Sequence, residues 1–441
     1  MTADAKRFFI RAFGCQMNKL DAELVRGELL RAGYAECSAP DEADVILYHT
    51  CSVRAHAENR VYSNVGKLKF LKRRKPDVVI GILGCMAQKD REGIFARLPH
   101  VDIVCGTVEF GRIVELIEEA RTRGRILACP EGPFPGLERD VTRRPVRHRA
   151  YVSVMRGCDN FCAYCIVPYV RGRETSRPAA EIIEEVRRLA DDGCKEITLL
   201  GQNVTAYGKS FGRPEALAGV LEQMDRVPGI ERVRFVTSHP KDTSRRILEA
   251  VRDLPSVCEY LHMPAQAGSD RILKAMNRRY TQAEYRALVA LARELVPGIA
   301  VASDFIVGFP GETEADYEQT ATLVRDMRFQ NSFVFKYSTR PGTAAARLAD
   351  NVPLAEKKRR NLELLDIQAA VGLDEHRKLI GAKVEVLVEG RSKRDARRMT
   401  GRLRTNRIAV FPGDDSLTGR TVNVLIRDAT ALTLAGETVE E

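Results

Sequence analysis

Residues able to do unusual chemistry are concentrated in one short stretch, Met155-Arg156-Gly157-Cys158-Asp159-Asn160-Phe161-Cys162-Ala163-Tyr164-Cys165. Three cysteines separated by three and then two residues can face one small inorganic cluster. On a four-iron cube, three thiolates leave one iron without a protein ligand, free to take a substrate or cofactor. A structural zinc site would want four protein ligands, commonly in Cys-x2-Cys pairs. A ferredoxin run uses two-residue gaps and places a fourth cysteine before proline. Neither pattern is present, so an iron cluster with an open position is favoured over zinc or a purely structural cluster.

A second group of thiols emerges only when the elements that must carry them are considered. From Lys6 to about Arg123, short apolar runs alternate with helical patterns, as in a parallel α/β sheet. Strands are expected at Arg7–Phe13, Asp44–His49, Val78–Leu83 and Asp102–Val104, and helices near Leu20–Ala32, Glu58–Lys72, Arg91–Leu98 and Phe110–Thr122. Cys15, Cys51 and Cys85 then follow the first, second and third of these strands, two of them directly after glycine. Open α/β sheets bind ligands beyond the carboxyl ends of their strands, so three distant cysteines can converge there. A lone buried cysteine is usually a small hydrophobe, but three at equivalent positions point to a second cluster. Cys105 is the rival fourth ligand and is left out; packing accounts for Cys37, Cys129, Cys194 and Cys258.

The three-cysteine loop needs its own scaffold. Between Tyr151 and Tyr337, six strands alternate with six helical patterns, at Tyr151–Met155, Glu196–Leu200, Arg232–Val236, Glu259–His262, Ala300–Val307 and Ser332–Tyr337. Parallel strands with right-handed crossovers follow; six units are too few for a closed eight-stranded barrel, so a partial (β/α)6 barrel is expected. Its site belongs at the carboxyl ends of the strands, where the Cys158–Cys165 loop falls. Other loops at that end offer cofactor contacts: Gly201, Gln202 and Asn203, then Ser238, Gln266 and Gly308. Glycine there permits close backbone approach, and amides both donate and accept hydrogen bonds.

From Ala382 onward the period changes to that of five short strands, which implies a small antiparallel β-barrel. Between Arg391 and Arg407 stand eight basic residues and one acid, a density suited to phosphate neutralisation. The whole organisation is then an amino-terminal α/β domain over 6–123, a Pro- and Gly-bearing linker over 124–143, the partial barrel over 144–377 and the β-barrel over 378–441. The net charge of +10 agrees with a polyanionic partner. No apolar run is long enough to span a bilayer, the amino terminus lacks the features of a secretory signal, and eleven cysteines without a disulfide pattern fit a cytosolic, cytoplasmic protein with no membrane partner.

The Cys-x3-Cys-x2-Cys loop, with an aromatic before its last cysteine, resembles the signature of radical S-adenosylmethionine enzymes. Almost the whole chain resembles the methylthiotransferase family: Gly14-Cys15-Gln16-Met17-Asn18, Asn64-Val65-Gly66-Lys67-Leu68-Lys69 and Gly84-Cys85-Met86-Ala87-Gln88 in front, Arg156 to Glu174 in the middle, and a tail similar to the RNA-binding TRAM module. Gln16-Met17-Asn18 matches the transfer-RNA branch that acts on isopentenyl-adenosine beside the anticodon. The ribosomal-protein branch usually has Pro-Lys-Asn there, and the threonylcarbamoyl-adenosine branch Lys-Val-Asn. The resemblance implies a radical cluster on Cys158, Cys162 and Cys165 and an auxiliary one on Cys15, Cys51 and Cys85, both of the 4Fe-4S type. It also implies S-adenosylmethionine as radical source and methyl donor, addition of a methylthio group to C2 of the adenosine in tRNA, and a monomer served by an electron-donor protein and a sulfur source. No catalytic side chain beyond the cluster ligands is assigned. Gly201-Gln202-Asn203 departs from the Gly-Gly-Glu of many radical enzymes and offers no carboxylate for the methionine amine. The alternatives are a methylthiotransferase for a ribosomal protein and a non-catalytic RNA-binding redox sensor.

Overall fold

A computed structural model describes residues 5–52, 55–137 and 139–439. The amino-terminal part runs β1 (Arg7–Ala12), α1 (Gln16–Arg31), β2 (Ala35–Glu36), β3 (Val45–Thr50), α2 (Ala55–Arg74), β4 (Val79–Gly84), the short α3 (Cys85–Asp90) and α4 (Glu92–Arg97), β5 (Ile103–Cys105), α5 (Ile113–Arg123) and β6 (Ile126–Ala128). Its sheet is parallel throughout, in the order β2-β1-β3-β4-β5-β6. Every residue of β3 and β4 is buried, because helices cover both faces and a doubly covered strand must be apolar on both sides. One face packs Ile46, Tyr48, Ile80 and Ile82 and the other Val45, Leu47, Val79 and Leu83. Strand β6 lies in the stretch expected to be linker; its three residues are complete before the first proline, Pro130.

The central part holds β7 (Arg149–Ser153), a two-stranded ribbon of β8 (Met155–Arg156) and β9 (Thr175–Ser176), α6 (Val167–Arg171), α7 (Ala179–Asp191), β10 (Glu196–Leu200), α8 (Ala216–Asp225), β11 (Arg232–Phe235), α9 (Arg245–Asp253), β12 (Tyr260–His262), α10 (Asp270–Ala275), α11 (Gln282–Leu295), β13 (Ala300–Val307), α12 (Glu314–Met327) and β14 (Asn331–Lys336). The expected partial barrel is present as two parallel halves, β7-β10-β11 and β12-β13-β14, joined by the bridge Val233–Val257 and by a hydrogen bond from the Ser238 N–H to the His262 carbonyl at 3.0 Å. Helices α11 and α12 begin with capping boxes, Thr281 with Glu284 and Thr313 with Asp316, in which side chain and backbone satisfy each other reciprocally. A long helix, α13 (Leu354–Arg377), then packs on β14 and α12.

The last part is a closed barrel of β15 (Lys383–Arg391), β16 (Arg398–Leu403), β17 (Ile408–Pro412), β18 (Thr421–Ala429) and β19 (Thr433–Thr438), in the order β15-β16-β17-β19-β18. One correction applies: β17 and β19 pair in parallel, so the barrel is not wholly antiparallel. Val386, Val388, Met399, Phe411 and Ile426 fill its interior. The turn between β16 and β17 docks at the amino-terminal ends of the central strands. There Arg232 donates to the Arg402 carbonyl at 2.6 Å, Arg234 to the Leu403 carbonyl at 2.7 Å, and Arg404 pairs with Glu259 at 2.8 Å. Among the described residues no helix is long and apolar enough to cross a membrane.

Candidate active site

Cys15 caps α1, Cys51 directly follows β3, and Cys85 opens α3. Strands β1, β3 and β4 are neighbours in the sheet, and its order reverses between β1 and β3, which is where such sheets bind ligands. Gly14 has φ +113°, and a Cβ there would stand 2.2 Å from that of Cys51; only glycine lets the two thiol-bearing turns approach this closely. Arg171, at the end of α6, reaches over from the central part. Its Nε donates to Cys85 Sγ at 3.2 Å, and its Nη2 to Asn18 Oδ1 at 3.1 Å and to Asp21 at 2.7 Å. Asp21 is wholly buried and also receives Arg156 at 2.6 Å. Burial pushes the Asp21 carboxyl up, but the two guanidiniums outweigh it and hold it down at about 2. Burial raises the Cys85 thiol, whereas a hydrogen bond from Cys51 lowers that of Cys15 despite its burial.

The Cys158–Cys165 loop is braced from two sides. The Cys158 N–H donates to the Gly172 carbonyl at 3.2 Å, the Ala163 N–H to the Met276 carbonyl at 2.9 Å, and Asn277 Nδ2 to the Phe161 carbonyl at 3.0 Å. Gly157 (φ +75°) lets the loop pass Arg173, whose carbonyl oxygen would be 2.0 Å from any Cβ at this position. Burial pushes the Cys158 thiol up to about 11 and the Cys165 thiol to about 12. Removing these protons therefore needs compensating positive charge, which a bound iron cluster would provide. Arg278 Nη1 donates to Cys162 Sγ at 3.3 Å.

All six cysteines line one cavity of about 1020 Å³ at the junction of the three parts. Gly201, Gln202, Ser238 and Gln266 are on its wall, while Asn203 and Gly308 are not. Asn203 turns away to donate to Asp242 at 2.6 Å, and Gly308 backs onto Lys357, whose Cγ would be 2.3 Å from a Cβ there. Gln202 Oε1 and Ser238 Oγ are buried with no hydrogen-bond partner among the described residues, which is what a wall made for a polar cofactor leaves when protein atoms alone are counted. Sequence reading missed most of the inner barrel wall: Tyr260, Asp304, Phe333 and Phe335 face the cavity beside His262. His262 Nε2 lies 3.2 Å from Asp304 Oδ1 and its ring meets Phe333 edge-on at 6.4 Å. Lys19, Arg149, Lys393 and Arg402, from all three parts, add positive charge to the wall; burial and then these arginines and Lys393 lower the Lys19 ammonium.

Cys105 is fully buried among Leu83, Phe110 and Ile113 and is absent from the cavity wall. Among the described residues no three Cys, His, Asp or Glu side chains stand at the spacing of a single metal ion. Two thiol triplets opening on one cavity are the donor set that two four-iron cubes, each with one open iron, would need.

Comparison with known proteins agrees with this division. A Radical SAM superfamily profile matches residues 152–324, a TRAM domain profile residues 377–439, and a profile described as Uncharacterized protein family UPF0004 residues 7–106. A tRNA-2-methylthio-N(6)-dimethylallyladenosine synthase of Moorella thermoacetica is 45% identical over 446 residues, covering 100% of both chains. One of Desulfitobacterium hafniense is 44% identical over 439 residues, covering 99% of this chain and 98% of the relative. A radical S-adenosylmethionine methyltransferase from Kitasatospora setae, solved with cobalamin and a 4Fe-4S cluster, has TM-score 0.57 at 12% identity, covering 86% of this chain and 76% of that one; it shows the shared fold alone. Fold and motif thus define a radical S-adenosylmethionine enzyme, a class that works with a 4Fe-4S cluster and S-adenosylmethionine. Within that class the chain belongs to the family of the tRNA-2-methylthio-N(6)-dimethylallyladenosine synthases.

Proposed function

We propose that this chain adds a methylthio group to C2 of N6-dimethylallyl (isopentenyl) adenosine beside the anticodon of tRNA, with Cys158, Cys162 and Cys165 holding a radical cluster and Cys15, Cys51 and Cys85 an auxiliary one. The observation that carries this reading is the opening of both cysteine triplets onto a single cavity. When bound, the two clusters with S-adenosylmethionine supply a carbon radical able to break an aromatic C–H bond, and the sulfur and methyl that replace the hydrogen. The protein's own residues do the rest. Gln202 and Ser238 offer free acceptor atoms to the cofactor. Gln266 (φ +69°) is held in the wall by its backbone, whose N–H donates to Asp304 O at 2.8 Å and whose carbonyl accepts from Ile306 N at 2.9 Å.

A base must leave its stack to enter such a cavity. Phe333 and Phe335 lie two residues apart on β14, hence on one face, and give the extruded adenine and its apolar dimethylallyl chain a surface to pack on. Lys19 and Lys393 supply charge for the phosphates on either side, while Arg149 and Arg402 are paired with Glu389. An electron donor and a sulfur source complete the reaction from outside. Anaerobically reconstituted protein, given dithionite, S-adenosylmethionine and isopentenylated tRNA, should yield the methylthiolated nucleoside by mass spectrometry. Turnover of S-adenosylmethionine with the nucleoside unchanged would refute the assignment of substrate.

A further inference from the structure

Arg278 is a buried charge in the cavity wall. It follows α10, in a turn where Asn277 (φ +57°) and Arg279 (φ +59°) flank it in left-handed conformation, and this turn aims the side chain inward. It is 4% exposed. Its guanidinium donates to Cys162 Sγ at 3.3 Å, to the Tyr280 hydroxyl at 3.1 Å, to the Tyr164 hydroxyl at 3.5 Å and to the Pro264 carbonyl at 2.9 Å. All of these are neutral groups while the thiol keeps its proton. Among the described residues no carboxylate pairs with it, whereas the other guanidinium on a cavity thiol, Arg171, is paired with Asp21.

A buried cation without an anion is costly, and among its hydrogen-bond partners in the described residues the Cys162 thiol is the group that metal binding would turn into an anion. We infer that Arg278 is a positioning residue whose counter-anion is the thiolate cluster on Cys158, Cys162 and Cys165, and that its charge favours the reduced cluster over the oxidised one. The inference rests on the ligand assignment proposed above. The charge count is simple. A four-iron core of charge 2+ with three thiolates carries −1, and one electron from a low-potential donor takes it to −2, with no proton transferred. A fixed positive charge in contact with one of those thiolates stabilises the more negative state more. The hydrogen bond to sulfur acts in the same direction, since such bonds tune cluster potentials.

The test uses full-length protein in which Cys15, Cys51 and Cys85 are replaced by alanine, so that a single cluster is read. Arg278→Gln and Arg278→Lys are compared with the parent by iron analysis and by an electron paramagnetic resonance titration against dithionite-poised mediators, without S-adenosylmethionine. Arg278→Gln should lower the ratio of reduced to oxidised cluster at fixed potential by about tenfold, equivalent to ~59 mV for one electron, while Arg278→Lys stays close to the parent. Failure of Arg278→Gln to hold iron, with Arg278→Lys holding it, would support the same conclusion. An unchanged potential in Arg278→Gln at full iron content overturns the inference, including where only S-adenosylmethionine affinity falls. So does loss of iron in both variants, because the shape of the guanidinium and not its charge would then be what matters. A parent that holds no iron would instead refute the ligand assignment on which the inference rests.

Discussion

Asp21 has no exposed surface, yet it accepts from Arg156 and Arg171, the residues that bracket the three-cysteine loop, while its own helix begins at Cys15. One carboxylate therefore ties both thiol-bearing segments together. Removing one member of a buried ionic network leaves its partners uncompensated, at a cost of about 3–5 kcal/mol. Asp21→Ala should lower the unfolding free energy by that amount near neutral pH, measured by urea denaturation. The pH dependence follows from the depressed carboxyl. Its contribution is complete above the ordinary value of 3.8 and is lost as pH falls toward about 2, so parent and variant should converge in that window. A gap that stays constant down to the acid limit would mean that the pairs contribute nothing. The sequence displayed Arg156 and Arg171 beside the cysteines but gave no sign of Asp21, because an acid one turn into a helix reads as solvated until its partners are known. Arg278 was hidden for the related reason that one more arginine in a basic chain carries no signal.

Secondary-structure elements were legible where burial wrote a periodic pattern and illegible where it did not. Strands β10 and β13 have the expected bounds. Helix α13 escaped notice because the residues it buries include Lys357, Arg360, Gln368 and His376. Each has a specific partner, such as Asp350 for Lys357, Glu312 for Arg360 and the Phe329 carbonyl for Gln368, although Gln368 Oε1 and His376 Nε2 have none among the described residues, and polar burial of this kind has no hydrophobic period. The basic run from Arg391 to Arg407 proved divided. Arg404 is spent on Glu259 and Arg402 on Glu389, whereas Lys393, Arg394 and Arg397 remain exposed at the turn before β16. Replacing these three by alanine should leave the fold intact and reduce the salt dependence of tRNA binding, by about 0.7–0.9 in log–log slope for each phosphate contact removed. An unchanged slope would place the RNA elsewhere. Deleting the whole β-barrel would be a poorer experiment, since Arg232 and Arg234 would lose their carbonyl acceptors.

Three parts of different architecture meet at one cavity. The parallel sheet presents its cysteines at the carboxyl ends of β1, β3 and β4, the partial barrel presents its loop after β7, and the β-barrel closes the opposite end of the central strands. Strand alternation and cysteine spacing sufficed to anticipate the three parts and the strand-end placement of the six cysteines that line the cavity. The loop side of the cavity wall, with Gly201, Gln202, Ser238 and Gln266, was anticipated, but the inner strand side was not, because Tyr260, Phe333 and Phe335 resemble ordinary strand residues until the barrel places them on its inner face. Convergence predicts a separation of roles that one experiment can read: Cys15→Ala and Cys158→Ala protein, each reconstituted and given reductant, S-adenosylmethionine and isopentenylated tRNA, with 5′-deoxyadenosine and methylthiolated nucleoside quantified together. Cys15→Ala should still form 5′-deoxyadenosine and no methylthiolated nucleoside, and Cys158→Ala should form neither. Methylthiolated nucleoside from Cys15→Ala would contradict the pairing of the two triplets.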